Sequence, residues 1–401
     1  MSALTALRLC SMVPDYVHPV LHKPIREMLS DVLKASPVGS PAMIKVMPFP
    51  AYPRSADRAP PVASVPDVPH THTHWTFPPA RPPVPHGQVS TPRHTRLMAT
   101  LNVTPDSFSD GADHVALSAA LAYAASSARA GAHIVDVGGY STRPGAAPVS
   151  PEDEVARVVP VIEGIRALSS GTSDAADVLV SVDTFRPHVA RTAVLAGANC
   201  INDVHAFTGP DYPRPASSSP AYLVRMTETA RELAVPVVLM HSRGEAGANK
   251  DYSHYGSVVG GVIQELGEKV EAIVRGPGGV RRWLVMIDPG IGFSKSVDDN
   301  LEVLRNSASI TAEARTVDGE WNPLRGYPQL IGASRKSFLG NILSQPDKSG
   351  TYEGRQTTPK ERGWATTAAV ASAVQQGAAV VRVHDVLEMG DVVRAANAIW
   401  G

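Results

Sequence analysis

Wherever an apolar run of this chain ends, a side chain able to bind or react follows it. Asp183, Asn202 and Asp288 supply carboxylate and amide groups, a set suited to a flat heterocycle carrying several N–H donors. Arg143, Lys336, Arg382 and His384 form a cationic set suited to a phosphate or pyrophosphate. Phe108, Met240 and Phe293 could cover the face of a ring. A polyphosphate needs countercharge beyond arginine, so Mg2+ is expected; the Asn102 oxygen is a weak candidate ligand, since magnesium keeps most of its waters. Glycines in DVGG and DPGIG let backbone come close to a ligand. Each residue taken singly has a plainer reading, because an Asp at a strand end caps a turn more often than it binds anything. The regularity of the pattern argues against that reading.

Such residues need a frame, and the sequence supplies one from Arg96 onward. Eight short apolar runs alternate with helical stretches: LMATLNV, HIVDVGG, VLVSVDT, NCINDV, VPVVLMH, RWLVMIDPG, PQLIGAS and VVRVHDV. Each is too short for an ordinary helix and has little polar alternation, as expected of parallel strands covered on both faces. In SPEDEV, Ser150 reads as a helix N-cap, Pro151 as the first helical residue, and the acidic residues as the first turn. Val155, Val158, Val159 and Ile162 would form that helix's apolar face. Pro187 opens another helix carrying Val189, Ala190, Ala193 and Val194, and Gly197 ends it. Eight strand–helix units predict an α/β fold, a (β/α)8 TIM barrel over residues 95–401. The lack of GxGxxG after the first strand disfavours an open doubly wound sheet. A barrel gathers its site at the C-terminal strand ends. There lie Asn102, Thr142–Arg143, Asp183, Asn202, Met240–His241, Asp288–Phe293, Ser334–Ser337 and Arg382–His384.

Composition bounds the rest. The net charge of -1 gives no global basic field, so neither nucleic acid nor an anionic membrane is expected as a partner. No apolar run approaches the roughly 20 residues of a membrane span. Cys10 and Cys200 fit no disulfide or zinc pattern and suggest a reducing compartment. Residues 35–94 hold 15 of the 35 prolines and read as an extended linker, within which HTHTH is more plausibly incidental than a metal site. Residues 1–34 include helical spacing in KPIREMLSDVL.

Together these motifs resemble dihydropteroate synthase. LMATLNVTPDSFSDG is similar to that family's first signature and AHIVDVGGYSTRPG to its second; INDV, DPGIGF, GASRKSF and RVHDV follow in the family's order. The resemblance covers residues 96–401. It implies that 7,8-dihydropterin-6-ylmethyl pyrophosphate is joined to 4-aminobenzoate by an SN1-like substitution, giving 7,8-dihydropteroate and pyrophosphate in folate biosynthesis. Carried over by position, Asp183, Asn202, Asp288 and Lys336 would hold the pterin, with Val204 and Met240 against its faces. Asn102, Arg382 and His384 would hold the pyrophosphate and its Mg2+, joined by Thr142 and Arg143. Phe108, Thr142, Pro144, Phe293 and Ser337 would border the aminobenzoate, and TPDSFSDG would be a closing loop. Asn102, Asp288, Lys336, Arg382 and His384 would carry the catalysis.

The resemblance also implies a homodimer, sulfonamides as inhibitors, and a cytoplasmic or mitochondrial location. Residues 5–33 resemble the end of hydroxymethyl-dihydropterin pyrophosphokinase, which precedes the synthase in fused fungal proteins. The kinase core is absent, so no kinase activity is expected, and upstream folate-pathway enzymes become candidate partners. Two other readings compete. A pterin-binding methyltransferase domain would not need the anion-binding TRPG, SRKS and RVHD. A non-catalytic scaffold paralogue is disfavoured because Lys336 and Arg382 are both present.

Overall fold

The computed structural model describes residues 95–400 apart from 104–112, 141–147, 170–177, 211–219, 277 and 317–318. The segments 1–34 and 35–94, with Cys10 and HTHTH, lie outside the described residues. Eight parallel strands occur where the apolar runs are: β1 Arg96–Asn102, β2 Ile134–Gly138, β3 Leu179–Asp183, β4 Cys200–Asp203, β5 Val237–Met240, β6 Val285–Asp288, β7 Leu330–Ile331 and β8 Val380–Val383. Sheet order runs β6-β5-β4-β3-β2-β1-β8-β7. A parallel bridge from Ile287 to Gln329 joins the two ends, with the Ile287 N–H donating to Pro328 O at 3.0 Å. The barrel is therefore closed, and the expected fold is the one observed. Among the described residues no helix is long and apolar enough to cross a membrane.

Helices cover the outside: α1 Asp113–Arg129, α2 Pro151–Ser169, α3 Pro187–Leu195, α4 Pro220–Leu233, α5 Val258–Arg275, α6 Val297–Ile310, α7 Ser337–Leu343, α8 Gly363–Gln375 and α9 Val386–Trp400. Ser150 caps α2 as its sequence suggests, accepting from the Asp153 N–H at 3.0 Å. The expected apolar face of α2 needs correction. Val155 and Val159 are only half-buried, and the buried stripe is Glu154, Val158, Val161, Ile162 and Ile165. Glu154 can face inward because Arg186 donates to its Oε2 at 2.7 Å, tying α2 to the β3–α3 turn. The α3 face of Val189, Ala190, Ala193 and Val194 is buried as expected, and Gly197 follows with φ 119°. Cys200 is buried and unpaired, and burial raises its thiol pKa, so it is not a reactive thiolate.

The pairing register decides what fills the barrel. Met98, Thr100 and Asn102 stand beside Ile134, Asp136 and Gly138, which continue to Ser181, Asp183, Cys200 and Asn202. On the other side Met98 stands beside Arg382. Alternation along each strand puts this series on one face, so the interior changes from apolar to polar towards the C-terminal ends.

The opposite end is held by a side chain outside the sequence argument. Arg166 donates to Gly197 O at 2.8 Å, to Val178 O at 2.9 Å and to Asn199 Oδ1, which also accepts the Val180 N–H at 2.9 Å. Burial lowers its pKa to about 10, which leaves it charged at pH 7. One guanidinium thus locks α2 to the entrances of β3 and β4. Arg166→Met is expected to lower unfolding free energy by about 2–3 kcal/mol, since several charge-assisted bonds to buried acceptors are lost together. An unchanged urea midpoint would remove Arg166 from this role.

Candidate active site

At the C-terminal mouth of the barrel, one guanidinium organises two carboxylates. Arg382 on β8 donates from Nε to Asp136 Oδ2 at 2.7 Å and from Nη2 to Asp183 Oδ2 at 2.9 Å. The same Asp136 oxygen accepts from Asn202 Nδ2 at 3.1 Å. Its other oxygen, Oδ1, is buried and takes no hydrogen bond from any described residue. Gly138 sits beneath the cluster: a Cβ there would lie 3.4 Å from Asp183 Cβ and 3.7 Å from Asn102 Oδ1, in ordinary contact with both. Burial raises the Asp183 pKa, Asp136 adds to the rise, and Arg382 pulls it back.

A second carboxylate–cation pair lies across the mouth. Asp288 ends β6, accepts the Gly290 N–H at 2.7 Å, and has its pKa pushed up to about 6 by burial, against the pull of that hydrogen bond and of Lys336. Lys336, leading into α7, is lowered to about 8 by burial, with Asp288 opposing the shift. At pH 7 the carboxylate is mainly ionised and the amine mainly protonated. The Lys336 Nζ sits 4.1 Å from the centroid of Phe293, a cation–π contact. Gly332 faces both sets, its missing Cβ position 3.9 Å from Asp288 Oδ2 and 3.9 Å from Arg382 Cβ.

The DPGIGF segment needs its glycines for two reasons. Gly290 and Gly292 have φ of 73° and 78°, and a Cβ on Gly290 would fall 1.9 Å from His241 O. Lys295 fastens the loop from behind, donating to Gly290 O at 3.1 Å, Phe293 O at 3.2 Å and His241 Nδ1 at 3.1 Å. Glu265 is held well below the usual carboxylate range and can only accept, so His241 Nε2 carries the proton and donates to Glu265 Oε2 at 2.8 Å, leaving Nδ1 to accept from Lys295. His241 is therefore a buried support, and Met240 beside it is also buried.

The last loop brings His384 to the same mouth. Its pKa is lowered to about 3 by burial and then by Arg382 and Arg335, so it is neutral at pH 7. This corrects its place in the cationic set: an imidazole in that electropositive, dehydrated position supplies a hydrogen bond, not a charge. Arg335 turns away, with φ 60°, to pair with Asp385.

Asn102, Asp183, Asn202, Val204, Met240, Asp288, Phe293, Lys336, Ser337, Arg382 and His384 all stand at or just beyond the C-terminal ends of strands. Ser337 is exposed, and Val204 is buried. Phe108, Thr142, Arg143 and Pro144 lie outside the described residues. Sequence reasoning missed Asp136. Its signal was the carboxylate inside the otherwise apolar HIVDVGG, where an acid two residues before the strand end must face the barrel interior.

Asn102 takes no side-chain hydrogen bond from the described residues, and these contain no cluster of three acidic, His or Cys residues able to hold a metal alone. One neutral oxygen would suit magnesium only if the ion were carried mainly by water and phosphate oxygens.

A family model described as pterin binding enzyme matches residues 98–384. Dihydropteroate synthase of Synechocystis is 36% identical over 321 residues, covering 80% of this chain and 96% of that protein. The folic acid synthesis protein fol1 of Schizosaccharomyces pombe is 39% identical over 303 residues, 75% of this chain but 36% of that longer protein. Xanthomonas albilineans dihydropteroate synthase, solved with 4-aminobenzoic acid, superposes with a TM-score of 0.59 at 35% identity, covering 77% of this chain and 98% of that one. With that architecture, that mouth and those relatives, the chain belongs to the pterin-binding enzymes as a member of the dihydropteroate synthase family.

Proposed function

We infer that this chain is the transferase that joins 7,8-dihydropterin-6-ylmethyl pyrophosphate to 4-aminobenzoate, releasing 7,8-dihydropteroate and pyrophosphate. The observation that carries this reading is the pairing of two opposed charge sets in one mouth, Asp136–Arg382–Asp183 with Asn202 on one side and Asp288–Lys336 on the other.

Each set has work in that reaction. A pterin ring presents amino and ring N–H donors along one edge and acceptors along another. Asp183, Asn202 and Asp288 match the donors and Lys336 an acceptor, with Met240 and Val204 as apolar surface. The difficult step is breaking the methylene C–O bond, which leaves positive charge on the pterin and negative charge on the diphosphate. Ionised Asp288 stabilises the first. Arg382 and His384, with Thr142 and Arg143 from the second loop, serve the second. Magnesium, when bound through the diphosphate and Asn102, would supply further countercharge. The arylamine is neutral at pH 7 and attacks the methylene carbon as the C–N bond forms, then loses its extra proton; it needs no strong base. Phe293 and Ser337, with Phe108 and Pro144, would border it. This is the SN1-like course that the charge separation favours.

A homodimer, a cytoplasmic or mitochondrial location, and a kinase-derived tail at residues 1–34 belong to the same proposal. Support for the dimer comes from Trp364 on α8 and from Leu387 and Ile399 on α9, which expose large apolar side chains.

Pyrophosphate release that depends on 4-aminobenzoate is the direct test, and its absence from folded protein that binds pterin would leave the scaffold reading standing. Asp288→Asn is expected to lower kcat/KM for the pterin substrate at least ~100-fold by removing charge beneath the developing cation. Its pH profile gives a further check. Protonating Asp288 removes its negative charge, so kcat/KM should fall below about pH 6; deprotonating Lys336 removes its positive charge, so it should fall above about pH 8. Lys336→Arg, which cannot titrate in this range, should lose the alkaline limb. Retention of that limb would assign it elsewhere.

A further inference from the structure

Ser334 lies in the loop after β7, nearly sealed from solvent at 4% exposure. Among the described residues its hydroxyl oxygen has two hydrogen-bonding neighbours, both on His384. The His384 backbone N–H donates to Oγ at 3.2 Å, and His384 Nδ1 lies 3.1 Å from the same atom. Tyr123 donates to His384 O at 3.0 Å, and Arg335 pairs with Asp385 on either side of this contact. The loop after β8 is therefore fastened at three points, by Ser334, Arg335 and Tyr123, and the imidazole has little freedom to turn away.

Counting hydrogens decides the tautomer. Ser334 Oγ already accepts the backbone N–H. If Nδ1 also carried a proton, Oγ would accept twice and its own hydrogen would be buried with no described acceptor, a cost comparable to losing a hydrogen bond. If Nδ1 is bare, the hydroxyl donates to it and every group is satisfied. The proton then resides on Nε2, which has no hydrogen-bonding partner among the described residues and stands in the loop that follows Arg382. Burial and the nearby Arg382 and Arg335 keep this imidazole neutral, so a single ring proton is to be placed.

We propose that Ser334 is a positioning residue for the reaction: by donating to Nδ1 it fixes neutral His384 as the Nε2–H tautomer, so that a hydrogen-bond donor without net charge meets the departing diphosphate. A neutral donor can stabilise charge as the C–O bond breaks while holding the released anion less tightly than a further cation would. The inference rests on the assignment of His384 to the diphosphate, although the tautomer itself does not.

The test uses the full chain with 15N-labelled histidine rings, the His384 signals being assigned by their loss in His384→Gln. Between pH 6 and 8 the wild type should show a protonated Nε2 and a bare Nδ1. A protonated Nδ1 would overturn the proposal whatever the kinetics. In Ser334→Ala, signal from the Nδ1–H tautomer should appear. With it, kcat should fall about 10-fold, the size of one lost hydrogen bond, while KM for 4-aminobenzoate stays within about threefold. A changed tautomer with unchanged kcat would also overturn the positioning role. His384→Gln separates the two layers: if it turns over as fast as wild type, the diphosphate assignment fails, whatever tautomer His384 adopts.

Discussion

A half-buried guanidinium held by two carboxylates sets the geometry of everything around it. Arg382, Asp136 and Asp183 come from β8, β2 and β3, with β1 between the first two in the sheet. Their side chains meet over β1 and β2 on the inner face of the sheet, so the cluster ties together four neighbouring strands. Placing ions in a dehydrated interior is costly, by several kcal/mol for each unpaired group. Arg382 offsets that cost for both acids at once, and Asn202 bonds to the same Asp136 oxygen. Removing the arginine would leave two carboxylates competing for a proton, so the ionisation of the acceptor wall and its shape share one cause.

The other half of the mouth is built differently. Around Asp288 and Lys336 the backbone itself makes the shape, through left-handed glycines and a buried lysine that bonds to two loop carbonyls and a histidine. The first half is a rigid ion cluster on strands; the second is a loop braced from behind. On the proposed reading, a substrate ring between them would meet acceptors from both halves and a cation from the second. His384, neutral and strapped to Ser334, joins Arg382 where an anion would depart. Charge separation during bond breaking is thus matched by groups already in place, which need little reorganisation when the charge develops.

Much of this could be read from residue types and spacing. Apolar runs of parallel-strand length predicted the barrel because both faces of such strands are covered, and the Ser150 cap and Gly197 stop follow from local backbone chemistry. Strand-end residues such as Asp183, Asn202 and Asp288 were recognisable because a barrel gathers the ends of all its strands. Other features were not legible. Val159 fits an apolar helical face in sequence, yet Glu154 takes the inward place because Arg186 arrives from another strand end. Asp136 looked like an interruption in an apolar run until its partner, 246 residues away, was known.

Sequence by itself therefore determined the element order, the strand ends and the inventory of side chains at the mouth, because periodicity, caps and turn residues act over a few positions. Tertiary structure alone decided which acid faces which base and which groups are charged. Those properties depend on distances between strands far apart in the chain and on how much water reaches each group. His384 shows the difference: its residue type permits a cation, and only burial beside Arg382 and Arg335 makes it a neutral donor.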